Sequence, residues 1–86
     1  MSSNDFAQDF CHLDRDLDVG AIGGDVFCIQ RLLERKKFSN EKPSGTFTEA
    51  TRRGVAKWAR VNKWHHVTGT IDSSLRRAYG EVSERR

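Results

Sequence analysis

The chain lacks the long apolar segments that mark membrane proteins. No apolar run approaches the roughly 20 residues that a membrane-spanning helix needs, and the mean hydropathy is −0.71. A charged start followed by an apolar stretch and a small-residue cleavage site is also missing, so no secretory signal is recognisable. We expect no membrane insertion. The sequence leaves localisation open between the cell wall or periplasm, for a mature or excised domain, and the cytoplasm or an organelle.

Residues that carry redox, metal or catalytic chemistry are scarce. The two cysteines, Cys11 and Cys28, are too few for a disulfide scaffold and lack the C-x-x-C spacing of a redox or zinc site. We interpret both as free thiols, with Cys28 in the core. His65 and His66 are adjacent, so their side chains diverge and do not form the i, i+4 pair of a zinc helix. With no nucleophile motif visible, we predict no metal, no cofactor, no catalytic residue and no enzymatic activity.

Charge is abundant and unevenly placed along the chain. Residues 1–25 hold six acids and one base, a formal charge of −5, whereas residues 26–86 hold fourteen bases and six acids, a formal charge of +8. A basic body attracts anionic partners such as nucleic acid, an anionic glycan or a lipid surface. An evenly solvated surface is the alternative interpretation.

Apolar spacing predicts a first helix over residues 25–37. Val26, Ile29 and Leu33 recur at i, i+3 and i+7, and Asp25 is suited to the start of a helix. The following stretch, residues 38–47, contains the only proline and reads as a loop.

Two further helices are predicted from their caps. Thr48 is a plausible N-cap for a second helix over residues 49–62, and Asp72 is one for a third helix. A second loop, residues 63–71, separates them. The predicted inner stripe of the third helix is Leu75, Ala78, Tyr79 and Val82.

An internal repeat links the loops to the helices that follow them. Residues 44–51 align with residues 68–75 as hydroxyl, glycine, threonine, large apolar residue and cap. Each copy reads as a tight turn that needs glycine, an apolar plug (Phe47 or Ile71) and the start of a helix. The expected fold class is therefore all-α, a compact three-helix bundle with two Gly-containing loop-helix repeats. We divide the chain into an acidic, partly flexible arm (1–16), a domain (17–82) and a tail (83–86).

These residues, in this order and spacing, resemble the peptidoglycan-binding domain family, a three-helix module attached to bacterial cell-wall hydrolases. The resemblance covers residues 17–82. Ser44 and Thr68 stand where that family usually has aspartate. The resemblance implies non-catalytic binding of peptidoglycan or a related cell-wall glycan. The positions that carry it are Val26, Leu33, Gly45, Phe47, Thr51, Val55, Trp58, Gly69, Ile71 and Leu75.

A wall ligand would need an aromatic face for a sugar ring, planar polar groups for hydroxyls and amides, and bases for the carboxylates of its peptides. We interpret Trp58 as a core residue and Trp64 as a candidate contact. Gln30 has two interpretations, a ligand-binding amide or a helix residue bonded to a neighbouring loop backbone. The candidate ligand-binding residues are Gln30, Arg53, Arg60, Trp64 and His65.

Two other partners remain open, a protein bound through the same scaffold and, less favoured, a nucleic acid. The bases on or beside the second and third helices could face a nucleic-acid groove. However, the predicted connection between these helices is about nine residues, longer than the turn of a helix-turn-helix. These bases are Arg52, Arg53, Lys57, Arg60, Lys63, Arg76 and Arg77.

Overall fold

The computed structural model describes residues 11–64 and 68–84, with side chains as far as residue 80. These residues form three helices, α1 (Gly24–Arg35), α2 (Glu49–Val61) and α3 (Ser73–Glu84), and no strand longer than an isolated bridge. The predicted all-α, three-helix class is confirmed. None of the three helices has the length and apolarity to cross a membrane.

Helix α1 carries the predicted apolar stripe. Val26, Ile29 and Leu33 are all fully buried, and they form the centre of the core. At the start of the helix, the Arg15 guanidinium donates two hydrogen bonds to the carboxylate of Asp25, at 2.8 and 3.0 Å. This contact holds the pKa of Asp25 below its ordinary value.

The predicted caps of the other two helices are confirmed. Thr48 and Thr51 form a reciprocal capping box at the start of α2, in which each hydroxyl accepts from the other residue's backbone N–H. At α3, the Asp72 carboxylate accepts from the Leu75 N–H at 2.9 Å. Leu75 and Tyr79 are buried as predicted, and the side chain of Val82 lies outside the described residues.

Helices α1 and α2 end in the same way, with a lysine in the left-handed region. Lys37 has φ 67° and Lys63 has φ 60°. The next residue in each case donates its N–H back to a helix carbonyl, Phe38 to Leu33 at 2.8 Å and Trp64 to Ala59 at 3.0 Å. This is the Schellman arrangement, whose left-handed position normally belongs to glycine.

Substituting glycine at this position is expected to stabilise the protein. A non-glycine residue in the left-handed region lowers stability by about 1–2 kcal/mol. Glycine removes this strain, but its greater conformational entropy in the unfolded chain reduces the gain in stability by about 0.5–1 kcal/mol. We therefore expect Lys63→Gly to raise the free energy of unfolding by about 0.5–1 kcal/mol, measured by urea denaturation. The control, Lys57→Gly inside α2, should lower it by about 1 kcal/mol. A loss of stability in Lys63→Gly would contradict this account.

A segment before α1 joins the two loop-helix repeats. Leu17 pairs with Ile71 through two backbone hydrogen bonds of 2.9 Å, and Ile22 pairs with Thr46. Glycine is required at Gly69 in the second repeat, because φ is 91° and an added Cβ would lie 2.6 Å from the Arg52 carbonyl oxygen. The short apolar stretches of both repeats therefore pair with this N-terminal segment.

The prediction of free thiols is wrong. Cys11 and Cys28 form a disulfide with a Cα–Cα distance of 5.8 Å. Cys11 is buried, Cys28 is half-buried against the core, and the Cys11 N–H donates to the Tyr79 hydroxyl at 2.9 Å. The segment before α1 packs against the helices, and this brings together two cysteines that are 17 residues apart in sequence.

Ordered structure continues on both sides of residues 17–82. Cys11, which the sequence assigns to the arm, is part of the core. Asp16, assigned to the same arm, forms an ion pair with Arg76 of α3 at 2.6 Å. At the other end, α3 continues to Glu84. Residues 1–10 of the arm and 85–86 of the tail lie outside the described residues.

Candidate functional site

A surface groove of about 300 Å³ lies between α2 and the loop that follows α1. One wall is the loop over residues 38–41, and the other is the first two turns of α2. The groove is lined by Phe38, Ser39, Asn40, Glu41, Ala50, Arg53, Gly54 and Lys57.

Two local features of the sequence place the loop against α2. The left-handed Lys37 turns the chain at the end of α1, so that Phe38 and Ser39 lie beside the second helix. Gly54 is buried at this contact, where an added Cβ would lie 3.1 Å from Leu33 Cδ1 and 3.3 Å from Ser39 Cβ. The missing side chain at residue 54 therefore allows the loop and helix to approach closely.

The two walls carry opposite charge. Arg53 and Lys57 are exposed, lie one turn apart on α2, and make no hydrogen bond or ion pair with the described residues. On the loop, the carboxylate of Glu41 accepts hydrogen bonds from the hydroxyls of Thr48 and Thr51. Within residues 11–64 and 68–84, no cationic nitrogen lies within 4.0 Å of that carboxylate.

The amide of Gln30 lies behind the groove in a closed hydrogen-bond network. Its Nε2 donates to the Thr46 carbonyl at 2.8 Å and to Thr51 Oγ1 at 3.0 Å. Its Oε1 accepts from the N–H groups of Ser44 and Gly45, both at 2.8 Å. With 2% of its surface exposed, Gln30 holds the loop from inside. The second interpretation of this residue, a helix side chain bonded to loop backbone, is confirmed.

Both tryptophans pack with the core and do not line the groove. Trp58 is buried, as predicted, between Trp64 and Tyr79, with ring centroids 5.0 and 5.3 Å away in edge-to-face geometry. Trp64 is half-buried because it follows the end of α2 and folds back onto Trp58. The edge-to-face contact between Trp64 and Trp58 is part of the core packing, and Trp64 does not line the groove.

Of the four candidate ligand-binding residues that the structure describes, only Arg53 lines the groove. Arg60 is exposed one turn beyond Lys57, on the same face of α2. His65 lies outside the described residues. The loop wall was not anticipated, although Glu41 is the only acid in the loop over residues 38–47 and could have drawn attention to it.

The chemistry available at the groove is non-covalent recognition through charge and hydrogen bonds. In the described part of the chain, no three side chains of His, Cys, Asp or Glu are grouped so as to hold a metal ion. No protein-family model matches the chain, and no curated protein matches its sequence.

Proposed function

We propose that this protein is a non-catalytic binding module that holds peptidoglycan or a related cell-wall glycan. The observation that carries the proposal is the groove, in which two bases on α2, without an ion pair among the described residues, lie opposite a polar loop. The three-helix body with two loop-helix repeats supports it, because that architecture is the one the resemblance to peptidoglycan-binding domains implies. The proposal needs no catalytic residue and no cofactor.

The wall polymer offers groups that suit this lining. Peptidoglycan carries carboxylates on its peptides, together with many amides and hydroxyls. Arg53 and Lys57 can form charge-assisted hydrogen bonds with carboxylates, and Ser39 and Asn40 can bond amides. A volume of about 300 Å³ lies at the lower end of the range of ligand pockets, so the groove suits one or two residues of the polymer.

The disulfide is consistent with this role. Disulfides persist in oxidising compartments such as the cell surface and the bacterial periplasm. The Cys11–Cys28 bond therefore fits a protein that works where wall polymer is found.

Retention on purified peptidoglycan sacculi tests the proposal. We expect the wild-type protein to co-sediment with sacculi above the level of a denatured control. The double variant Arg53→Ala/Lys57→Ala should bind at least tenfold more weakly, a difference of about 1.4 kcal/mol. The matched control, Arg31→Ala/Arg77→Ala, removes the same charge from exposed positions of α1 and α3 and should bind like the wild type.

Two outcomes would reject the proposal. Retention no greater than that of the denatured control would exclude wall binding. Equal loss of binding in both double variants would show that net charge alone attracts the protein and that the groove has no specific role.

A nucleic acid is a second candidate, favoured by one observation. Arg53, Lys57 and Arg60 are all exposed on one face of α2 and form a basic stripe. Helices α2 and α3 are joined by residues 62–72, which differs from the short turn of a helix-turn-helix. Titration with duplex DNA at rising salt decides this alternative, because phosphate binding weakens steeply with salt through counterion release. Salt-insensitive binding would reject it.

A further inference from the structure

We infer that the groove binds an amino-acid end group, a free ammonium and a free carboxylate on one carbon, and not a sugar ring. The inference deepens the proposed function and rests on it, because peptides as well as sugars make up the wall polymer. It names the part of that polymer that the groove contacts.

Opposite charges are separated across the groove. Glu41 lies on the loop wall, and Arg53 and Lys57 lie on the helix wall. Although they line the same groove, no nitrogen of either base lies within 4.0 Å of the Glu41 carboxylate. Opposite charges that face one groove without pairing are complementary to a ligand that carries both charges.

Neutral groups hold the Glu41 side chain in position. One carboxylate oxygen accepts from the Thr48 hydroxyl, and the other accepts from the Thr51 hydroxyl at 2.8 Å. Those hydroxyls are themselves fixed by the capping box of α2 and by Gln30. A carboxylate can accept about four hydrogen bonds, so the Glu41 side chain can still accept from an ammonium. Its position is set before the ligand arrives, which lowers the entropy cost of binding.

The described lining of the groove lacks an aromatic platform for a sugar ring. Phe38 is the one aromatic residue in the lining, and it is half-buried. Trp58 and Trp64 pack edge-to-face with each other away from the groove. Phe38 and Ala50 offer a small apolar surface that suits an aliphatic side chain. The lining therefore favours an amino acid with an aliphatic side chain over a pyranose ring.

Three small probes test the inference on the wild-type protein. They are 2-aminohexanoic acid (norleucine), its N-acetyl derivative, which lacks the ammonium, and its amide, which lacks the carboxylate. Binding is followed by ¹H–¹⁵N NMR at the backbone amides of Ser39, Asn40 and Gly54. We expect norleucine to shift these amides with a millimolar Kd. Each blocked derivative should bind about fivefold or more weakly, because each lacks one of the two ion pairs.

Two single variants test which side chain of the groove binds each charged group of the ligand. Arg53→Gln should weaken the preference for norleucine over its amide, because Lys57 alone then remains to pair with the carboxylate. Glu41→Gln should remove the preference for norleucine over its N-acetyl derivative. Arg31→Gln on α1 is the matched control and should change neither preference. If Glu41→Gln fails to fold, the comparison of the three probes on the wild type still decides the inference.

Several results would overturn the inference. These are a blocked derivative that binds as tightly as norleucine, shifts confined to residues outside the groove, and the absence of any shift. Sacculi that retain the protein while norleucine does not bind would leave wall binding standing and reject the end-group inference. Norleucine that binds while sacculi do not retain the protein would support the end-group site and reject wall binding.

Discussion

Replacing Cys11 and Cys28 together with alanine is expected to lower the free energy of unfolding by about 3 kcal/mol. The disulfide joins residues 17 apart in sequence, and it restricts the unfolded chain by closing that loop. It also ties the N-terminal segment to α1, beside the hydrogen bond from Cys11 to Tyr79. In a chain of 86 residues this loss is a large part of the total stability.

Thermal unfolding with and without a reducing agent measures this effect. A loss of about 3 kcal/mol corresponds to a fall in Tm of roughly 12–24 °C for a domain of this size. Reduced wild-type protein and the double alanine variant should unfold at similar temperatures, and the reducing agent should not change the Tm of the variant. Equal Tm values for oxidised and reduced wild type would contradict the prediction.

Replacing Gln30 with methionine is expected to lower the free energy of unfolding by about 2–4 kcal/mol. Methionine has a similar size but cannot make the four hydrogen bonds of the amide. The N–H groups of Ser44 and Gly45 then lose their partner, and the carbonyl of Thr46 keeps only the Ser44 hydroxyl at 3.3 Å. A buried polar group left without a partner costs about 1–3 kcal/mol. The expected fall in the free energy of unfolding is the sum of these costs, reduced by the hydrogen bonds that water makes to the same groups at the exposed loop.

Urea denaturation measures the loss, and hydrogen exchange locates it. In the Gln30→Met variant, the amides of Ser44 and Gly45 should exchange faster than in the wild type, because the amide oxygen no longer accepts from them. The matched control, Arg31→Met at the next residue of α1, is exposed and should change stability by no more than about 0.5 kcal/mol. A Gln30→Met variant as stable as this control would show that the loop holds its conformation without the amide.

The helices could be predicted from the sequence because their ends are set locally. Thr48 and Asp72 cap their helices through groups within three residues, and the apolar stripe of α1 is a pattern within one helix. The bounds predicted for the first two helices therefore agree with the structure to within two residues. The disulfide depends on the path that residues 11–23 take around the bundle, and no local sequence pattern shows that path. The interpretation of both cysteines as free thiols was wrong for this reason.

The groove was only partly predictable for the same reason. Arg53 was selected because it is a base on a helix face, which helical spacing alone can show. Glu41 could not be placed opposite it, because that arrangement depends on the turn at Lys37 and on the close approach at Gly54. For Gln30, the sequence left two interpretations open, and burial of the amide decided between them.

The contacts between the start and the end of the described chain affect how the protein can be synthesised. The Cys11 N–H donates a hydrogen bond to the Tyr79 hydroxyl, and Leu17 pairs with Ile71 through their backbones. Asp16 forms an ion pair with Arg76. During translation, α1 and α2 leave the ribosomal tunnel before Ile71, Arg76 and Tyr79 do. The core is therefore completed only after α3 has also left the tunnel, so the last stage of folding waits for that helix.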